Sequence, residues 1–129
     1  MSTNSFDFSP SVRPSILYTL EKVKLQVEYH AFADLKWKII DLLYNEICLV
    51  ISEVLIMDPD TVFKVNSSSI KAYLVQEVFY QLRHHHLRLV FRNFHYTQYQ
   101  VYNKKAYLRT SLYNSFFEIE SHHAGLGYY

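Results

Sequence analysis

No glycine occurs between Met1 and Ala124; the only two in the chain, Gly125 and Gly127, stand in its last five residues. Glycine enters positive φ without steric penalty, so its absence disfavours tight-turned β architectures, collagen-like repeats and glycine-cradled phosphate loops. Proline is equally sparse (Pro10, Pro14 and Pro59), which leaves nearly the whole chain open to helix. With 129 residues, 50% of them apolar and 19% charged, the chain can build one sizeable core and is too apolar to stay disordered. The expected fold is all-α. It is a compact bundle of about five to six helices with one short extended segment, forming a single helical domain over residues 15–129.

Residues 1–14 are rich in Ser, Thr, Asn and Pro, lack the apolar stretch of a signal peptide, and read as a flexible leader. The most apolar window, Ile39 to Met57, approaches the length that spans a bilayer, yet Asp41, Glu46 and Glu53 within it argue for a soluble core helix. Cys48 stands alone, which excludes a disulfide framework and a multi-cysteine zinc site and suits a reducing, cytoplasmic compartment.

Apolar periodicity orders the rest. Ser15 behind Pro14 is a suitable N-cap for a first helix to about Glu28, striped by Ile16, Leu20, Val23 and Val27 with a mostly charged opposite face. Tyr29 to Lys38, holding Phe32, Leu35 and Trp37, is compatible with a short helix or an ordered bend. Ile40, Leu43, Tyr44, Ile47, Val50, Ile51 and Val54 fall on one arc and predict the central core helix, which Asp58-Pro59-Asp60 ends as a turn. Thr61 to Val65 alternates like a lone extended segment. Asn66 or one of Ser67 to Ser69 is expected to cap a helix carrying Ile70, Leu74, Val78 and Leu82 on one side. A further helix, Arg83 to His95, packs with Leu87, Val90, Phe91 and Phe94. A loop from Tyr96 to Tyr102 leads to a last helix that Asn103 caps and that runs to about Phe117, with Glu118 to Tyr129 fraying.

The net charge of +1 hides an asymmetry: Met1 to Val65 carries −3 and Asn66 to Tyr129 carries +4. From Lys71 to Arg109 there are seven basic residues, four histidines and one acid, Glu77. Such a stretch can meet phosphate or an acidic protein surface. Equally, opposite-sign halves can pair within the fold.

No constellation implies catalysis. Successive residues of His84-His85-His86 point about 100° apart on a helix and do not close a tetrahedral site, and His122-His123 would have to come in from the tail. Cys48 lies at the edge of the most apolar stripe, where a core role outweighs a nucleophilic one. The carboxylates are scattered without a pair at a spacing that implies a shared cleft. Twelve Tyr, nine Phe and Trp37 are mostly core material, with Phe94, Tyr96, Tyr99 and Tyr102 beside Arg88 and Arg92 as the cluster that can stack on a ligand.

The run Asn103-Lys104-Lys105-Ala106-Tyr107-Leu108-Arg109-Thr110-Ser111-Leu112-Tyr113-Asn114 resembles the N-x-K-x-Y-L-x-T-x-L-Y-N signature that ends the C-terminal domain of RepA-type, winged-helix replication initiators of Gram-positive plasmids and integrative elements. Its heart is also similar to the C-terminal module of DnaD-type helicase loaders. The resemblance extends with lower specificity over Ile16 to His123, through Val27-Glu28-Tyr29, the helix from Ile39 to Val54, Val62 to Val65, and the junction from Leu82 to Leu87. Lys104 and Arg109 depart from it, standing where that family usually has apolar residues. Physically the run is a packing motif first: Asn103 caps, Leu108 and Leu112 face the core, and Tyr107 and Tyr113 widen the apolar coverage.

The resemblance implies a non-enzymatic binding module of a mobile genetic element in the bacterial cytoplasm, docking on a host replication protein or on DNA. Origin-specific reading belongs to the winged helix and is not implied. A second expectation, from a different class, is an inhibitor of a host defence nuclease of Cas type, an anti-CRISPR protein built from such a domain. The residues expected to carry binding are Arg83, Arg88, Arg92, Tyr96, Tyr99, Lys104, Lys105 and Arg109. No cofactor, metal, membrane or small-molecule substrate is expected.

Overall fold

A computed structural model describes residues 15–28, 38–97 and 102–126, and among these the side chains other than those of 38–41, 96 and 122–126. The leader, the stretch 29–37 and Tyr99 lie outside the described residues. Within them the fold is mostly helical, with five helices and one two-stranded hairpin.

Helix α1, Ile16–Gln26, starts where sequence places it, the Ser15 hydroxyl accepting from the Leu17 amide at 3.2 Å. Val23 and Val27 are fully buried, Thr19 completes the stripe, and Glu28 at φ 56° turns the chain away. The outer face is less charged than expected, since Leu17 and Leu25 are each 70% exposed. Helix α2, Lys38–Leu55, is the central element, burying Tyr44, Ile47, Cys48, Val50, Ile51 and Val54. Ser52, buried beside them, is satisfied by donating to the Cys48 carbonyl at 2.8 Å. The turn after α2 closes through the Asp58 carboxylate, which accepts from the Asp60 amide at 2.9 Å.

The lone extended segment proves to be half of a hairpin. Strand β1, Val62–Val65, pairs antiparallel with β2, Ser68–Lys71, with Val65 opposite Ser68. Asn66 and Ser67, expected as helix caps, form the two-residue turn with φ 55° and 68°, the primed geometry that suits the twist of paired strands. Helix α3, Ala72–Phe79, needs no side-chain cap because the Pro59 and Thr61 carbonyls accept from the Tyr73 and Ala72 amides at 3.0 and 2.7 Å. This later start shifts the apolar phase: Ala72, Val75, Val78 and Phe79 are buried, whereas Leu74 is 42% exposed and Ile70 lies in the strand. Ser67 holds a left-handed conformation that favours glycine. Ser67→Gly is therefore expected to raise stability by about 0.5–1 kcal/mol, read from urea unfolding; a loss of stability would count against the turn assignment.

Helices α4, His84–Thr97, and α5, Lys104–Leu126, pack antiparallel. Phe94 meets Tyr107 at one end, with ring centroids 5.7 Å apart, and His86 meets Phe116 at the other, also at 5.7 Å. Asn103 caps α5, its side-chain oxygen accepting from the Ala106 amide at 3.0 Å. The expected fraying from Glu118 is replaced by helix to Leu126: no Gly or Pro interrupts the chain before Gly125, and half-buried Ile119 continues the packed side.

Two glutamines that sequence reading passed over close helix ends across the fold. Gln26 of α1 donates to the Phe79 and Leu82 carbonyls after α3, and Gln76 of α3 donates to the Val54 and Met57 carbonyls after α2, all at 2.9 Å. Orphan C-terminal carbonyls are thereby satisfied by a neighbouring helix. No helix among the described residues is long and apolar enough to cross a membrane.

Candidate interaction surface

The signature run spends its side chains inside the fold. Leu108 and Leu112 are 1% and 0% exposed. The Tyr107 hydroxyl bonds Thr97 at 2.8 Å, and Asn114 exchanges two amide hydrogen bonds, 2.8 and 3.0 Å, with Asn66 of the hairpin turn. The Arg109 guanidinium lies 4.7 Å from the centre of the Phe63 ring, a cation–π contact that anchors β1 to α5.

Charge follows the same logic. Lys104 pairs with Glu46 at 2.8 Å and lies over the Phe94 ring at 5.5 Å, and Lys105 pairs with Glu53 at 3.1 Å. The His84 ring nitrogen reaches the Glu28 carboxylate at 2.7 Å. The opposite-sign halves thus meet within the molecule, each exposed pair contributing at most about 1 kcal/mol. Arg83, although exposed, donates to the nearby Tyr80 and Leu82 carbonyls at 3.3 and 2.8 Å behind α3.

Of the eight residues expected to bind a partner, Arg83, Lys104, Lys105 and Arg109 make contacts with other residues of the chain, the first three from exposed positions. The structure presents Arg88 and Arg92, exposed and one turn apart, on α4. The Tyr96 side chain and Tyr99 lie outside the described residues, so the aromatic cluster is seen only at its edges: Phe94 is buried and Tyr102 fully exposed. Around the two arginines is a groove of about 320 Å³, which His85, Leu89 and Ile119 complete. Sequence reading found the arginines and missed Ile119, which was assigned to a frayed tail. Two other grooves have volumes of about 300 and 350 Å³: the first sets Leu42, Phe91 and Phe94 beside His95 and the paired Glu46 and Lys104, and the second is lined by Tyr18, Lys22, Leu55 and Tyr80.

The histidine run divides into three roles. His84 is the Glu28 partner, His85 edges the groove, and His86 is 2% exposed. His86 stands at the third position of α4, and its Nδ1 accepts from the Arg83 amide at 2.9 Å, the task a glutamate performs in a capping box. That bond fixes the proton on Nε2, which is buried without a partner. Burial, followed by the nearby His85, pushes the ring down to about 4, so His86 is neutral at physiological pH. Burial likewise pushes the Cys48 thiol up to about 12, which removes it as a nucleophile near neutral pH. No three His, Cys, Asp or Glu side chains among the described residues converge on a metal-sized site.

Comparison with known proteins finds no matching family model, no matching curated protein and no matching solved structure. What the fold defines is a class: a small, mostly helical domain that carries two exposed arginines, Arg88 and Arg92, on one helix.

Proposed function

We propose that this chain is a non-enzymatic binding module of a mobile genetic element, related to the C-terminal domain of RepA-type initiators, that docks on an acidic partner through the outer face of α4. The observation that carries this reading is the division of the basic residues. Lys104, Lys105 and Arg109 meet Glu46, Glu53 and Phe63, whereas Arg88 and Arg92 stand exposed one turn apart on a single helix, in a stretch from Val78 to Phe117 that contains no acid. A host replication protein and DNA are the partner classes that the resemblance brings to such a face, and both offer negative charge. The signature run packs its leucines into the core and so builds the scaffold behind that face.

The test uses two acidic probes, a labelled single-stranded oligonucleotide and polyglutamate, in a fluorescence anisotropy titration at rising salt. At least one is expected to bind with an affinity that falls as salt rises, since two cationic contacts give a log–log slope of about −1 to −2. Arg88→Glu with Arg92→Glu is expected to weaken that binding about ten-fold or more while the helical circular dichroism is unchanged. Lys104→Gln with Lys105→Gln changes it by less than about two-fold. Absence of binding to both probes at low salt, or wild-type binding by the double reversal, would overturn the reading.

A further inference from the structure

Resting on that reading, the chemistry of the α4 groove narrows the partner. Five side chains line it: His85, Arg88 and Arg92 as basic or protonatable groups, Leu89 and Ile119 as apolar ones. Its volume, about 320 Å³, is at the small end of ligand pockets, room for one or two side chains. Leu89 and Ile119 come from different helices and are both half-buried, so an apolar strip runs between α4 and α5 at the foot of the arginines. A phosphate backbone gains little from such a strip, whereas an aliphatic side chain entering it loses apolar surface to the protein.

The charge of α5 points the same way. Glu118 and Glu120 are exposed on α5 on either side of Ile119 in sequence, and Glu120 is close enough to His86 to act on its titration. Negative charge on this helix disfavours a long run of phosphates crossing from α4 to α5. A polypeptide can avoid them, because its charges are few and can be placed on one side only. Arg88 and Arg92 are separated by four residues, about 6 Å of helix, which is the spacing of two carboxylates at i and i+4 on a partner helix.

We infer that the groove takes an acidic–apolar peptide segment: two carboxylates one helical turn apart meet Arg88 and Arg92, and an apolar side chain sits between Leu89 and Ile119.

The test is selection of a phage-displayed random 16-residue peptide library on the whole chain, followed by anisotropy with the enriched peptides and with a single-stranded oligonucleotide. Enriched peptides are expected to share an acid pair at i, i+4 or i, i+3 with an apolar residue alongside. Arg92→Glu and Leu89→Gln should each weaken them about ten-fold, and Ile119→Gln provides a second apolar-strip variant should Leu89→Gln lose its helical signal. Oligonucleotide binding, if present, should fall with Arg92→Glu and be indifferent to Leu89→Gln. Peptides enriched without acids, or insensitive to both apolar-strip variants, would overturn the inference. An oligonucleotide bound through Arg92 with no peptide consensus would also sink the inference while leaving the basic-face reading standing. Failure of every probe would remove both.

Discussion

Leu112→Ala is expected to destabilise the chain by about 3–4 kcal/mol, measured by urea unfolding followed by circular dichroism. Leu112 is 0% exposed at the middle of α5, the helix that packs against α2, α3, α4 and β1 together. Truncating it removes the transfer free energy of a leucine side chain and leaves a cavity that four elements cannot collapse into at once. Lys105→Ala, on the same helix, is expected to change stability by less than about 1 kcal/mol, because its partner Glu53 is reached across a partly exposed surface. The contrast separates a signature kept for packing from one kept for contact with a partner. A loss below about 1 kcal/mol for Leu112→Ala would show that α5 does not hold the other elements together.

Much of this architecture is legible in the sequence because it is encoded locally. The arc through Ile47, Ile51 and Val54 needs only the 3.6-residue period, and the Ser15 and Asn103 caps need only a short polar side chain ahead of an apolar stripe. The hairpin was not legible for a specific reason: its turn is Asn66-Ser67, without the glycine that usually marks primed turns, and serine with asparagine reads equally well as a helix cap. That ambiguity displaced α3 by several residues and put Leu74 in a core it does not enter.

Contacts distant in sequence were beyond the local pattern. Gln26 and Gln76 serve carbonyls 53 and 22 residues away, and no periodicity marks them. For the candidate surface, the sum of charges pointed to one basic face from Arg83 to Arg109, and only three dimensions separate the cations that face Glu46 and Glu53 from those on the outer side of α4. Internal pairing, the alternative that the charge asymmetry left open, accounts for the α5 lysines. The arginines at 88 and 92 remain the legible part of the surface, and Ile119 the part hidden by an expected helix stop that lacked a helix breaker.

Acidification is expected to remove about 3 kcal/mol of stability through one residue, His86. Its ring is held at about 4 in the folded chain, against an ordinary value of 6.5, first by burial and then by the like charge of His85 and Arg83; Glu120 works the other way, and Phe116 covers the ring. The folded value lies below the unfolded one, so the unfolded chain takes up the proton first. Stability is full above about pH 6.5 and is lost progressively as pH falls toward 4, where the folded state must also accept a proton on Nδ1. Protonation there breaks the bond to the Arg83 amide and places two donors face to face at the start of α4, the helix that carries Arg88 and Arg92. Urea unfolding at several pH values between 7.5 and 4.5, on wild type and on His86→Gln, isolates the effect from other titrating groups by difference. Glutamine keeps an acceptor for the Arg83 amide and does not titrate, so its stability is expected to fall by about 2 kcal/mol less than wild type across that range. His86→Leu, which retains apolar packing but strands the amide, is expected to lose about 1–2 kcal/mol at pH 7.5 and to share the flatter pH response. Parallel pH profiles for wild type and both variants would show that the ring is not the acid-sensitive group, and the helix start would then owe its order to Arg83 and the carbonyls behind it alone.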